Sequence, residues 1–457
     1  MRAVCSVAGS TTSNHLQQFL KTPVKSFFSL WIPVLFSMVA EPLTGLVDTA
    51  FVARLGTEEL AALGIGTVVL SSTLWLFNFL GVGSQTEVSH ALGRKDLQQG
   101  RKIASLAIIL ALSIGVVGSL ILIFVAPQFA AFMGATESIH QYTVRYITLR
   151  AFGGPAVLVT IASFGILYGL GDMRTPLLLA VGVNVMNICL DALLVFGAGP
   201  IPPLGIAGAA IASSMSQVVG ALFCLYLVHR KLGFTLEIEL SHIRRLLAIG
   251  RDMVFRTGSL ILFVLLATRL ATKLGAEAGA VHQAIRQVWM FTAFFLDATA
   301  VVAQSVIGFY LGSAMVAEAR QVAKMVCFWS LLIGLFLMFS MVVVGDWVAM
   351  ILVPTVGTDL FRPAWLVAAL FQPIGAIAFV TDGIHWGTGD FKYLRNVVIF
   401  ATLCSAAALG FVELFGLASL VLIWWITGGW IAIRAGLGLL RIWPDSHRNP
   451  LSIKYSN

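Results

Sequence analysis

The stretch FGILYGLGD at residues 164–172 returns as DGIHWGTGD at residues 382–390, and both copies carry the pattern GxxxGxGD. Each copy follows a proline, Pro155 or Pro373, that stands ten residues before its first glycine. The copies are 218 residues apart (164 to 382), and two further matches are offset by 219 residues (85 to 304 and 56 to 275). Those matches are Gln85–Gly93 with Gln304–Gly312, and ARLGTEELAA (53–62) with ATKLGAEAGA (271–280). Three matches at nearly one offset indicate a duplicated unit.

The composition is that of an integral membrane protein. Hydrophobic residues make up 58% of the 457 residues and charged residues only 11%. Soluble globular proteins contain about 25% charged residues, because their surfaces need polar cover. Windows of about 20 apolar residues predict twelve transmembrane helices, which we place at 26–53, 60–84, 103–127, 139–170, 175–197, 205–229, 248–273, 279–310, 321–346, 360–387, 394–416 and 418–440.

The longest polar connection, residues 230–247, separates six predicted spans from six others. Because six is even, the two copies share one orientation and form parallel repeats, as many transporters do. Most of the 29 Lys and Arg residues fall in the tails and the even-numbered loops, which predicts that both termini are cytoplasmic. The predicted divisions are a cytoplasmic N-terminal tail (1–25), an N-lobe with spans 1 to 6 (26–229), a cytoplasmic interlobe loop (230–247), a C-lobe with spans 7 to 12 (248–440) and a cytoplasmic C-terminal tail (441–457).

Several function classes are disfavoured by the sequence. The net charge of +8 does not indicate a nucleic-acid partner, because the basic residues cluster at helix ends, where anionic lipid headgroups lie. The five cysteines form no CxxC motif, so we expect neither disulfides nor a metal site. No GxxxxGK[ST], HExxH or GxSxG motif occurs, which argues against direct use of ATP and against an enzyme. We expect residues 1–25 to be a plain tail, with an organellar targeting peptide as the alternative.

Polar side chains interrupt two of the predicted spans. Asn184, Asn187 and Asp191 share one helical face of the apolar segment VNVMNICLDALLVFG at 183–197. Asp48 in span 1 lies at the same predicted depth, about five or six residues from the outer end. Their repeat partners are Ala267 for Asp48, Ser405 for Asn187 and Leu409 for Asp191. A requirement of the scaffold would have kept these groups in both copies, so the asymmetry favours a function.

Carboxyl groups at membrane depth point to ion coupling. A carboxylate inside a span costs about 2.5–3.5 kcal/mol on insertion scales, and burial or a like-charged neighbour favours the neutral form. We therefore expect Asp48 and Asp191 to share a proton. The alternative ion is Na⁺, held by both carboxylates, Asn187 and a backbone carbonyl. The structural alternative is that Asp191 only caps a helix end or bonds Asn184 and Asn187.

The C-lobe also carries ionisable residues at membrane depth, which are Arg256, Arg286, Asp297, Asp382 and His385. Arg256 and Asp382 both lie near the inner ends of their spans. For these two residues we expect an ion pair that joins helices.

Four further segments stand beside the two GxxxGxGD turns: EPLTGLVDTAFVARLGTEELAALGIG (41–66), NICLDALLVFG (187–197), GIAGAAIASSMSQ (205–217) and HQAIRQVWMFTAFFLDATAVVAQ (282–304). Together these segments resemble the multidrug and toxic compound extrusion (MATE) family, in its DinF-like branch. The resemblance covers about residues 26–440. It implies an all-α fold in which two six-helix bundles form a V around a central cavity. The implied activity is efflux in exchange for protons or sodium ions.

The resemblance also implies roles for single residues. It places Asp48, Asn187 and Asp191 in ion coupling and links Ser213, in span 6, to the same site. It makes Pro42 a hinge, because a kink of span 1 accompanies protonation in the family. From the helical spacing alone, Glu41 lies on the face of Asp48 two turns earlier, and we expect it to line a cavity.

We therefore expect a secondary active antiporter that exports organic, cationic and lipophilic compounds in exchange for H⁺, without a cofactor. The alternatives are a flippase for lipid-linked precursors and, less favoured, a membrane-embedded enzyme, for which His385 alone supplies no catalytic set. The expected partners are a small organic substrate and membrane lipids. We expect a monomer in the plasma (cell inner) membrane, with an organellar membrane as the alternative.

Overall fold

The computed structural model describes residues 16–197, 199–237, 239–353, 358–443 and 449–452. Within these residues the regular elements are α-helices, with no β-strand. The chain divides into two compact units, the first from Phe28 to Gly250 and the second from Arg251 onward together with Gln18–Phe27. The helices in chain order are α1 (Pro23–Ala53), α2 (Thr57–Leu76), α3 (Phe79–Gly93), α4 (Leu97–Phe132), α5 (Glu137–Ala151), α6 (Gly154–Gly169), α7 (Arg174–Phe196), α8 (Ile206–Lys231), α9 (Leu240–Lys273), α10 (Ala276–Gly312), α11 (Val316–Leu352), α12 (Thr358–Leu370), α13 (Gln372–Thr388), α14 (Phe391–Leu414) and α15 (Leu420–Ile442).

Nine of the described helices are long and apolar enough to span a membrane, and two bent helix pairs raise that number to eleven. The bent pairs are α5 with α6, at 48°, and α12 with α13, at 42°. They fall on the predicted spans 139–170 and 360–387, while the predicted span 60–84 falls on α2 and α3. Both α6 and α13 carry a proline in their first turn, Pro155 or Pro373. Proline suits that turn and disfavours helical backbone at the residue before it, so both spans break at the same place in the repeat.

The repeated glycines make equivalent contacts in the two units. A Cβ atom on Gly165 would overlap the carbonyl oxygen of Gly81, and one on Gly383 would overlap that of Ala300. The equivalent contacts one turn later are Gly169 with Gln85 and Gly387 with Gln304. Small residues let helix backbones approach closely within a membrane, where apolar burial does not drive helix association. The duplicated motif therefore encodes one helix contact, formed once in each unit.

The last glycine and the aspartate of each motif end a helix. Gly171 and Gly389 both have φ of +79°, in the left-handed region that glycine adopts without strain. In each copy the following aspartate N–H donates to the carbonyl five residues earlier at 2.9 Å. The aspartate side chains then form salt bridges with basic residues at the ends of α8 and α15, which are Lys231 for Asp172 and Arg441 for Asp390.

The connection between the two halves is shorter than predicted. Helix α8 continues to Lys231 and α9 begins at Leu240, so residues 230–231 and 240–247 of the predicted loop 230–247 are helical. The first turns of α9 bury Leu246 and Ile249 and expose Arg244 and Arg245. A window of average hydropathy misses such an amphipathic segment, because its charges offset its apolar face.

Candidate functional site

The two carboxyl groups predicted to act together lie side by side in the first unit. Asp48, on α1, is half-buried, and Asp191, on α7, is fully buried. Their side chains interact directly, close enough to share a hydrogen bond once one of them carries a proton. Among the described residues no hydrogen-bond donor satisfies either oxygen of Asp191 or Oδ1 of Asp48.

Two further predicted residues complete this contact. Asn187 lies one turn before Asp191, and its Nδ2 donates to Ser213 Oγ of α8 at 3.4 Å. Ser213 also interacts with Asp48, so its hydroxyl links α1, α7 and α8. Asn187 and Ser213 are both buried. The arrangement does not support the structural alternative for Asp191, because neither Asn184 nor Asn187 hydrogen-bonds its carboxyl group in the described part of the chain.

The prediction from sequence missed two residues of α5. Arg150, in the last turn of this helix, interacts electrostatically with both Asp48 and Asp191. It also interacts with the side chain of Tyr146, which is buried. Arg150 stands inside the predicted span 139–170, and an arginine within a span is itself an indication of function.

The helix break after Arg150 is held by α8. The Leu149 carbonyl accepts a hydrogen bond from Ser214 Oγ at 2.9 Å, and Gly153 packs against Ser214. Ser214 therefore satisfies a backbone group near the end of α5, where carbonyls lose their helical partners. Its neighbour Ser213 faces Asn187 and Asp48. The adjacent serines thus fix the position of Arg150 relative to the carboxyl pair.

The remaining predicted residues of the first unit stand apart from this contact. Asn184 is half-buried, and within the described residues no hydrogen bond joins it to the carboxyl groups. Helix α1 continues without interruption through Pro42, so the hinge stays a prediction. The side chain of Glu41 lies outside the described residues.

The charged residues of the second unit form a compensated cluster. The predicted pair of Arg256 and Asp382 is confirmed, and Arg434 of α15 adds a second guanidinium at 2.8 Å from the same carboxylate oxygen. All three side chains are buried, and Asp297 lies near them. Trp386 stacks on Arg256 with 5.0 Å from the guanidinium to the ring centre. A carboxylate held by two arginines joins three helices, in contrast to the unsatisfied Asp191.

Two other predicted C-lobe residues make local contacts. Arg286 donates two hydrogen bonds to Gln283 on its own helix, at 2.8 and 3.1 Å. His385 is fully buried, with Nε2 at 3.3 Å from the carbonyl oxygen of Gly438. Both contacts support packing between or along helices.

The charges of the first-unit cluster do not balance when both acids are ionised. Two neighbouring carboxyl groups and one guanidinium carry a net charge of −1 when both acids are ionised, and one proton makes them neutral. Sodium as cargo would find oxygen atoms on Asp48, Asp191, Asn187 and Ser213. No group of three or more His, Cys, Asp or Glu side chains that could hold a metal ion occurs among the described residues.

The MatE family model matches residues 33–193 and 254–412, one segment in each repeat. Protein DETOXIFICATION 44, chloroplastic, from Arabidopsis thaliana is 28% identical over 432 residues, which cover 91% of this chain and 81% of that protein. DNA damage-inducible protein F from Escherichia coli (strain K12) is 27% identical over 440 residues, which cover 94% of both.

The fold is also that of solved transporters. A multidrug resistance MATE family transporter of the MOP superfamily, solved in an outward-facing conformation, matches with a TM-score of 0.82 and 23% identity. The match covers 93% of this chain and 96% of that chain. The repeat, the helices and these similarities confirm the predicted twelve-helix fold and a transporter rather than an enzyme. The chain belongs to the MatE family and is a multi-pass membrane transporter of the DinF-like kind.

Proposed function

We propose that this protein is a secondary active antiporter that exports organic compounds in exchange for protons, with Asp48 and Asp191 as the coupling site. The observation that carries the proposal is the contact between these carboxyl groups, in which the buried Asp191 has no donor among the described residues. A buried, unsatisfied carboxylate is unfavourable, so the site gains stability from a proton. Release of that proton on the other side of the membrane would drive one step of alternating access.

Protons suit this site better than sodium ions. One proton between two carboxyl groups relieves their repulsion and forms a hydrogen bond, without further ligands. Sodium needs several oxygen ligands at once. Ser213 Oγ already accepts a hydrogen bond from Asn187 Nδ2, so one of its two lone pairs is not available to a cation.

The substrate class follows from charge and from the relatives. Carboxyl groups attract cations, and a cation that competes with the proton would be exchanged for it. Relatives whose names denote detoxification or multidrug resistance support organic compounds as cargo. We propose cationic, lipophilic substrates, transported by a monomer.

For the location we propose the plasma (cell inner) membrane with both termini in the cytoplasm, as the distribution of basic residues predicts. The chloroplastic relative supports an organellar membrane as the alternative. Fluorescent fusions to either end, combined with protease protection of each fusion, decide both the membrane and the orientation.

Transport by purified protein in proteoliposomes tests the coupling ion. We expect an imposed pH gradient, without sodium, to drive uptake or release of an organic cation such as ethidium. Transport that requires a sodium gradient and ignores a pH gradient at matched voltage would assign the same carboxyl groups to sodium. Transport driven by neither gradient would contradict the antiporter proposal.

A further inference from the structure

Arg150 is positioned as part of the coupling site by contacts on three sides. The Leu149 carbonyl accepts a hydrogen bond from Ser214 Oγ at 2.9 Å. The guanidinium interacts with the Tyr146 side chain, and both carboxyl groups lie within electrostatic range. Tyr146 is fixed in turn by Gly66, where a side chain would overlap its ring. The guanidinium is thus held near the carboxyl pair by packing.

The arginine nevertheless remains free to respond to the charge of the pair. Its Nε is buried without a hydrogen-bond partner among the described residues, as are both oxygens of Asp191. A cavity of about 40 Å³ borders Arg150, with Thr73 and Ser119 in its lining. That volume has room for about two or three water molecules. The guanidinium can therefore shift or hydrate when the carboxyl groups gain or lose a proton.

The repeat supplies independent support for a role at this site. At the offset of 218 residues that relates Pro155 to Pro373, the partner of Arg150 is Ala368. Arginine therefore occurs in the unit that carries the carboxyl pair and is absent from the equivalent position of the other unit. If arginine were needed only to stabilise the bend between α5 and α6, we would expect an arginine at the equivalent bend between α12 and α13 as well.

We propose that Arg150 acts as a resident cation for the Asp48–Asp191 pair and thereby selects against sodium at this site. This inference rests on the proposed function. It assigns the ion specificity of the coupling site to Arg150, which was not among the site residues predicted from the sequence. In general, a positive charge about 5 Å from a bound cation, at an effective dielectric constant of about 20, weakens binding of that cation by roughly two orders of magnitude. Sodium binds only by electrostatic attraction to the carboxylate and other oxygen atoms, so the guanidinium weakens its binding directly. A proton still binds, because it forms a covalent bond with a carboxylate oxygen and because burial favours the neutral acid.

The test is the response of purified protein to sodium. Arg150→Gln removes the resident charge at similar size, and Arg150→Lys keeps it. Arg145→Gln is the matched control, because Arg145 is exposed on the same helix. Thermal unfolding in detergent is measured from 0 to 200 mM NaCl against equal choline chloride, and transport is measured under an imposed sodium gradient.

We expect sodium to stabilise Arg150→Gln by several degrees, with half-effect at millimolar concentration, and to support transport by it. Wild type, Arg150→Lys and Arg145→Gln should show no sodium-specific stabilisation. Tyr146→Phe, which keeps the ring and removes the hydroxyl that interacts with Arg150, should show a weaker sodium effect, and it provides the test if Arg150→Gln does not fold.

Sodium stabilisation of wild type equal to that of Arg150→Gln would overturn the proposal. So would folded Arg150→Gln and Tyr146→Phe proteins that stay insensitive to sodium. These outcomes differ from failure of the proposed function, which would appear as normal ion-driven transport by Asp48→Asn.

Discussion

Asp191 is fully buried and has no hydrogen-bond donor among the described residues, yet it faces a second carboxyl group on α1. We predict that Asp48→Asn and Asp191→Asn each reduce pH-driven transport in proteoliposomes to the level of protein-free vesicles. An asparagine amide fills the same space as the carboxyl group but does not ionise, so it cannot couple transport to a pH gradient. Asp346→Asn, on an exposed residue of α11, is the matched control and should transport normally. Either site variant with wild-type rates would exclude that residue from coupling.

Ser213 links Asn187 to Asp48, and its hydroxyl is buried between them. We predict that Ser213→Ala lowers pH-driven transport about tenfold, because losing one hydrogen bond in a buried site costs about 1–1.5 kcal/mol. Ser216→Ala is the matched control, since Ser216 Oγ bonds only the backbone of Ser213 in the described residues. Equal transport rates for the two alanine variants would contradict a role of Ser213 in the site.

The sequence alone identified the polar residues of α1 and α7 but not their partners. Asp48, Asn187 and Asp191 stand out because each is unusual in an apolar span and differs from its counterpart in the repeat, which is Ala267, Ser405 or Leu409. Arg150 lies in the last turn of the polar helix α5, and the sequence does not show the bend that follows it. Without that bend, nothing places this basic residue beside the carboxyl pair. Arg434 was not predicted as a partner of Asp382 for a related reason. One sequence does not show which helices pack around Asp382.

The close contact between α3 and α6 depends on glycine at position 165. We predict that Gly165→Val lowers stability by about 1–3 kcal/mol, because its Cβ would overlap the carbonyl oxygen of Gly81. Gly182→Ala, in α7, is the matched control, since nothing lies within 4 Å of an added Cβ there. Thermal unfolding in detergent measures both. An unchanged midpoint for Gly165→Val would mean that the two backbones can separate freely.

The turn between α6 and α7 is held by a buried salt bridge. Burial alone would raise the pKa of Asp172, but hydrogen bonds from Lys231 and Thr175 outweigh it and hold the pKa below its usual value. The stability it contributes is therefore present above about pH 3.9, the pKa of an unfolded aspartate, and is lost as the pH falls through the lower folded pKa. We predict that Asp172→Asn lowers stability by about 1–3 kcal/mol.

The pH dependence distinguishes this effect from a general loss of structure. Because both relevant pKa values lie below 5, the difference between wild type and Asp172→Asn should stay constant from pH 5 to pH 8 in thermal unfolding. A difference that shrinks or grows within this range would mean that another group controls the turn.

Helix positions followed from the apolar windows, whereas their bends and ends did not. Hydropathy merged α5 with α6 and α12 with α13 into single spans, because each pair is apolar enough to cross as one. The breaks depend on Pro155 and Pro373, whose effect is local. The start of α9 was missed because its arginines lie on one face only.

The two repeats share a fold but differ in the charges they bury. We predict that Leu409→Asp does not restore pH-driven transport to Asp191→Asn. In the second unit Ala267 stands where the first has Asp48, and Ala368 where it has Arg150. A lone carboxyl group there would have neither the acid nor the arginine that defines the site. Transport by the double variant, with Leu409→Asp alone as control, would show that the units are interchangeable.

The buried cluster around Asp382 has a consequence for how the chain is made. Arg256 precedes its partner by 126 residues, and Arg434 follows Asp382 by 52. At about 5–20 residues per second, the ribosome needs roughly 6–25 s to reach Asp382 after Arg256 has been added. Until then α9 enters the bilayer with an unneutralised guanidinium, which costs about 2.5–3.5 kcal/mol and must be offset by its apolar residues. The cluster around Asp382 therefore has all its charges in place only after α15, the last helix, has been inserted.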